Sequence, residues 1–187
     1  MQVARLIDPE RVVRLRRDVF VRMIEAGMFH DNDRVHLIDG VLVQMSPQND
    51  PHARAIVRIS NLLARRLGER ADVACQVPFN ASEYSRPEPD IALWPPGDGP
   101  VPSQPLLVIE IADSSVRDDR LIMAPIYASA GVQQYWIVSL RAGLVEVHTV
   151  PTGDGYQRLE TRGPGAAITL VAFPDVEILV DELLPPS

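Results

Sequence analysis

Lysine is absent from this 187-residue chain, and all 18 of its basic side chains are arginine. No step that needs an amine side chain can draw one from this protein. A single cysteine, Cys75, excludes an internal disulfide and fits a reducing compartment. Within "DVACQVPF" it reads as a small buried residue. No apolar run reaches the roughly 18 residues that a membrane span needs. The first segment, "MQVARLIDPERVVRLRR", has no apolar stretch of the secretory-signal kind. These absences predict a cytoplasmic protein with no membrane partner. Aromatic residues are only 5% of the chain, and Trp94 and Trp136 fall in strand-like segments, where they read as core.

What is present describes one globular domain. A hydrophobic content of 46% and a length of 187 residues support a sizeable core. The expected organisation is a single domain over residues 1–187, with a helix and hairpin in 1–48, a core in 50–140 and strands and a tail in 141–187. The net charge of −7 argues against a surface that coats nucleic acid uniformly. Its distribution is uneven: residues 1–90 carry 13 arginines and 13 acids, so the second half supplies the whole excess. Arg5, Arg11, Arg14, Arg16, Arg17 and Arg22 cluster early, and Arg54, Arg58, Arg65, Arg66 and Arg70 follow. Either a solvated helix face or a phosphate-contacting face explains them.

Hydrophobic spacing predicts a helix over 9–28, with Val12, Val13, Leu15, Val19, Met23 and Ile24 as its apolar positions. "RVHLIDGVLVQMSP" is a hairpin joined by Asp39-Gly40. A helix follows from Asp50, read as its N-cap with Pro51 at the first helical position, and Ile56, Ile59, Leu63 and Leu67 on one face. Strands are predicted near 72–79, 89–94 and 105–112, then a helix over "DDRLIMAPIYASAG" that Pro125 should kink and Gly131 should close. "QQYWIVSL" and "LVEVHTV" are strands joined by "RAG", and the tail adds a short strand and a closing segment. This order predicts an α/β (mixed α+β) fold with a central mixed sheet flanked by helices.

One residue conflicts with the pattern. Glu110 lies inside "PLLVIEIADSS", a run otherwise suited to a strand covered on both faces. A carboxylate there needs a cationic partner or a metal. "RPEPDIALW" supplies a second acid, Asp90, at the start of an extended segment. If the two strands are neighbours, Asp90 and Glu110 converge. Two oxygen ligands favour a hard cation, Mg²⁺ or Mn²⁺, completed by water and substrate phosphate. An ion pair between Glu110 and an arginine is the other reading.

The segments "DRVHLIDGVLVQMSP", "PEPDIAL", "LLVIEIADSS", "YASAGVQQYWIV" and "VDELL" resemble, in consecutive order, the bacterial Uma-type restriction-endonuclease family, a branch of the PD-(D/E)XK nuclease superfamily. That resemblance implies an αβββαβ core and metal-dependent cleavage of nucleic acid, with DNA as the expected partner and self-association open. It places the family's Asp and strand Glu on Asp90 and Glu110, and its accompanying His and Gln on His52 and Gln76. Three positions depart from the family. His36 and Val41 stand where it has Glu, and Met123 stands at its active-site Lys. His36 can ligate or hold water when neutral, but Val41 cannot. A thioether neither orients water nor stabilises developing negative charge. Arg120, three residues earlier, could contact a phosphate, as could Arg54 and Arg58 on the long helix, but an arginine stays protonated and cannot act as a base. Two functions compete: an endonuclease with a depleted working site, and an inactive nuclease-fold module that binds nucleic acid or regulates. An unrelated phosphatase-like hydrolase has only the carboxylate pair in its favour.

Overall fold

The segment 135–138 is apolar on both faces and lies where that is required, inside a sheet covered on both sides. A computed structural model describes residues 12–30, 33–45, 49–99, 104–112 and 115–185. It contains a six-stranded sheet in the order β3 (Asp72–Cys75), β4 (Ile91–Trp94), β5 (Leu107–Ala112), β6 (Gln134–Ser139), β7 (Leu144–Pro151) and β8 (Tyr156–Arg162). β5 and β6 are parallel and the other neighbours antiparallel, giving the mixed sheet expected from the sequence.

Strand alternation sorts the core into two layers. Leu107, Ile109 and Ile111 point to one face with Trp136 and Val138. There they meet Ile56, Ile59, Leu63 and Leu67 of α2 (Asp50–Leu67), together with Ile168 of β9 (Ala167–Leu170), Ile178 of β10 (Phe173–Leu179) and Leu183 of α5 (Val180–Leu183). Val108 and Ala112 point to the other face with Tyr135 and Ile137, against Phe79, Trp94, Met123, Ala124 and Tyr127. Glu110 shares this second face. Both tryptophans are buried, as predicted.

The hairpin forms as β1 (Val35–Ile38) and β2 (Val41–Gln44). Asp39 and Gly40 both have positive φ, +48° and +81°, the conformation that an Asp-Gly turn supplies. A β-carbon at Gly40 would lie 2.5 Å from the Arg14 Cβ and 3.0 Å from its Cα. Gly40→Ala is therefore expected to lower stability by about 2 kcal/mol or more. Urea unfolding checks this, and a loss under about 0.5 kcal/mol would contradict the close approach.

Several sequence expectations need correction. The first helix, α1, spans Arg17–Glu25 rather than 9–28. Residues 9–11, Arg5 and Arg11 lie outside the described residues, and 12–16 are not helical. There the backbone bonds elsewhere: the Leu15 N–H donates to the Gly40 carbonyl and the Arg17 N–H to that of Glu83. Tertiary hydrogen bonds thus override the apolar spacing, and Val12 and Val13 are exposed. The N-cap of α2 is Asn49, whose side chain accepts from the His52 N–H at 3.0 Å, so Pro51 sits one position further into the helix. Cys75 is exposed, because β3 is an edge strand and its end residue faces out. The strand predicted to run to 79 stops at Cys75, where Gln76 turns with φ of +56°. The tail holds three strands and a short helix rather than one strand and a closing segment.

After β5 the chain forms α3 (Val116–Asp118), a π-helical turn over Asp119–Met123 and α4 (Ala124–Ser129). Pro125 lacks the N–H that would reach the Leu121 carbonyl, and the helix widens just before it rather than breaking. Gly131, with φ of +80°, ends it. No helix among the described residues is long and apolar enough to cross a membrane.

Candidate active site

The antiparallel register of β4 and β5 pairs Ile91 with Ile109, which sets Asp90, the preceding residue, beside Glu110. The two are tied through the backbone. The Asp90 N–H donates to Glu110 Oε2 at 3.2 Å, and the Ile111 N–H donates to Asp90 Oδ2 at 2.8 Å. Asp90 Oδ1 lies 2.9 Å from His52 Nε2, so the capped first turn of α2 delivers the imidazole to the carboxylate. On the helical side, the Tyr127 hydroxyl donates to Glu110 Oε1 at 2.5 Å.

Asp90, Glu110 and His52 line a cavity of 230 Å³ together with His36, Glu88, Asp119 and Met123. Asp119 is buried and accepts from the Ser115 hydroxyl at 2.9 Å. Negative charge is therefore concentrated in a dry place. Burial pushes the Glu110 carboxyl well above its usual range, and the charges of Asp90 and Asp119 push it further, against the Tyr127 hydrogen bond. Burial likewise raises Asp119 to about 6, opposed by the Ser115 hydroxyl and reinforced by Asp90. Burial lowers the pKa of His36, which favours the neutral, ligating form.

Of the residues singled out from the sequence, Asp90, Glu110, His52 and His36 come together. Gln76 lies behind Asp90: its N–H reaches the Pro89 and Asp90 carbonyls at 3.1 and 3.2 Å, and its buried Nε2 has no hydrogen-bond partner. Met123 is buried in the cavity wall, and Val41 is exposed on β2. Arg54 and Arg58 line a different cavity with Leu140 and Arg141, and Arg58 donates to the Leu184 carbonyl. Arg120 turns to Glu146, binding it through both carboxylate oxygens, with Nε to Oε2 at 2.7 Å. Glu110, Ile137 and Glu146 form one row across β5, β6 and β7, so this second buried carboxylate lies two strands from the first. The early arginines are also engaged: Arg14 with Asp39, Arg16 with Glu83 and Asp18, and Arg70 with Asp175.

The sequence reading missed Asp119 and Tyr127. The signal was available, since Asp119, Met123 and Tyr127 are spaced at i, i+4 and i+8 on a segment that packs over Glu110. Among the described residues, no three His, Cys, Asp or Glu side chains converge as a ready-made metal cage. The donor chemistry is nonetheless that of a hard cation. Two carboxylates are the oxygen-donor type that Mg²⁺ takes, alongside retained waters and phosphate oxygens.

The sequence matches the family Uma2, described as "Putative restriction endonuclease", over residues 18–181. The chain belongs to the Uma2 family. Its fold is similar to that of a crystal structure described as a "putative nuclease belonging to DUF820" from Anabaena variabilis, at 15% identity and a TM-score of 0.66. That likeness covers 86% of this chain and 96% of the other and concerns the fold. A comparison with curated proteins finds no match. The Uma2 match spans the hairpin, α2, the Asp90–Glu110 pair and the helix carrying Met123.

Proposed function

We propose that this protein hydrolyses nucleic-acid phosphodiester bonds, DNA above all, with the help of Mg²⁺ or Mn²⁺ and at a reduced rate. The observation that carries this is the convergence of Asp90 and Glu110 from neighbouring strands on one cavity. Asp90 and Glu110 would hold the cation, which supplies a Lewis acid and an activated water to a phosphodiester. His52 fixes the orientation of Asp90 through its 2.9 Å contact. His36, which lines the same cavity and is held toward its neutral form by burial, would hold or deprotonate a water. Tyr127 holds Glu110 in place through the hydrogen bond its hydroxyl donates to Oε1.

Met123 is the specific observation that favours a second reading, in which the cleft binds nucleic acid without cutting it. A thioether faces the carboxylates where family members present an ammonium. Incubation of supercoiled plasmid and single-stranded DNA with Mg²⁺ or Mn²⁺ separates the two. Slow cleavage by wild type that disappears in Asp90→Ala supports the nuclease. DNA retention without cleavage in either protein supports the binding module.

A further inference from the structure

A second cavity, of 440 Å³, adjoins the first, and His36 and Glu88 line both. Phe20, Ile24 and Pro78 make much of its wall apolar, and Arg86 enters it. The backbone of Arg86 is fixed, since its N–H donates to the Leu37 carbonyl at 2.7 Å in an isolated bridge to β1. Arg86 Nε is buried with no hydrogen-bond partner, and no acid among the described residues forms an ion pair with this guanidinium. The Nδ1 of His36 is also buried and unpartnered.

The charges nearby aggravate this. Arg17, whose guanidinium donates to the Ser82 carbonyl, repels Arg86. Glu88 attracts it but is already bound by Arg34 at 3.4 Å. Arg86 is half-buried, and a guanidinium whose Nε is cut off from water with no acceptor is costly, a cost that an anion placed against it removes. Arginine's planar fork matches a phosphate through two parallel hydrogen bonds.

We infer that this cavity is an oxyanion subsite in which Arg86 and His36 bind a phosphate. Its continuity with the catalytic cavity suits a phosphodiester next to the one being cut. That choice of phosphate rests on the nuclease reading, whereas phosphate binding itself does not. A free phosphate group would make the same contacts, so the test separates the sources.

The full chain is melted in EDTA with and without inorganic phosphate at constant ionic strength, as wild type, Arg86→Met, Arg86→Lys and Asp90→Asn. Methionine keeps the apolar stem of the arginine and removes the unpaired charge. Phosphate is expected to raise the Tm of wild type and Asp90→Asn by several degrees and to leave Arg86→Met unmoved. Without phosphate, Arg86→Met should melt above wild type. Arg86→Lys, which keeps the charge without the fork, should respond weakly. Fluorescence anisotropy with a labelled single-stranded oligonucleotide, also in EDTA, identifies the source. A tenfold weaker Kd in Arg86→Met places a strand phosphate in the cavity, and an unchanged Kd beside a lost phosphate response assigns it to free phosphate. A wild type indifferent to phosphate, or an equal response in Arg86→Met, overturns the subsite. Absence of cleavage in the plasmid assay bears on the nuclease reading and leaves these outcomes intact.

Discussion

Met123→Lys is expected to raise Mg²⁺-dependent DNA cleavage about 100-fold over wild type. The reasoning is electrostatic. Met123 is buried in the cavity wall with Glu110, Asp90 and Asp119, and His52 and Arg34 are the basic groups that join His36 in lining it. An ammonium there would meet developing negative charge on the attacked phosphate, a contribution worth about 10²–10³ in rate when one preorganised donor is added or removed. Lysine has a stem like that of methionine, so the wall is preserved. Three nearby carboxylates also hold the amine charged against the desolvation that would otherwise lower its pKa. Plasmid nicking rates for wild type, Met123→Lys and the double variant with Asp90→Ala check this. The double variant should fall to background. A well-folded Met123→Lys protein whose rate stays within threefold of wild type would show that position 123 does not face the reacting phosphate.

The second large effect concerns stability. Glu110→Gln is expected to raise Tm at pH 8 by about 3 °C and to abolish any stabilisation by Mg²⁺ or Mn²⁺. The folded chain holds the Glu110 carboxyl well above the value of 4.5 that it has when exposed. The folded state therefore binds a proton that the unfolded chain has already released. Stability from this source is full below pH 4.5 and declines as pH rises through the folded value, at about 1.4 kcal/mol per unit of displacement. Glutamine never ionises, so the penalty at pH 8 is removed. Its carbonyl can still accept the Tyr127 hydroxyl, although its NH₂ faces the Asp90 N–H and loses about 1 kcal/mol there. A net gain of about 1 kcal/mol corresponds to about 3 °C for a chain of this size. Asp119, at about 6 against an exposed value of 3.8, leaves a residual decline at lower pH in the variant. Melting curves from pH 4.5 to 8.5, with and without cation, decide the matter. A variant less stable than wild type at every pH, with an unaltered pH slope, would refute the buried-charge account.

Both effects centre on the segment that first looked anomalous. Glu110 was legible because a charge inside a two-faced apolar strand violates a local rule. Asp90 was legible because prolines force an extended approach to it. The Asp39-Gly40 turn and the apolar face of α2 were legible for the same reason: backbone preference and periodicity are short-range properties, written into neighbouring residues.

Other features depended on chain segments far apart in sequence. α1 starts late because the Gly40 and Glu83 carbonyls capture N–H groups that the apolar spacing would assign to a helix. Cys75 is exposed because β3 lies at the sheet edge, a position no local pattern specifies. Arg120 is drawn to Glu146 by sheet register, and Arg86 is left without a carboxylate because Glu88 pairs with Arg34.

The sequence by itself determined the order of the central helices and strands, where the hairpin turns and that two acids lie in strand-like surroundings with no lysine to serve them. Only the tertiary structure decided which charges are neutralised. Periodicity acts over a few residues, whereas desolvation and ion pairing depend on every group brought within a few ångströms by the fold.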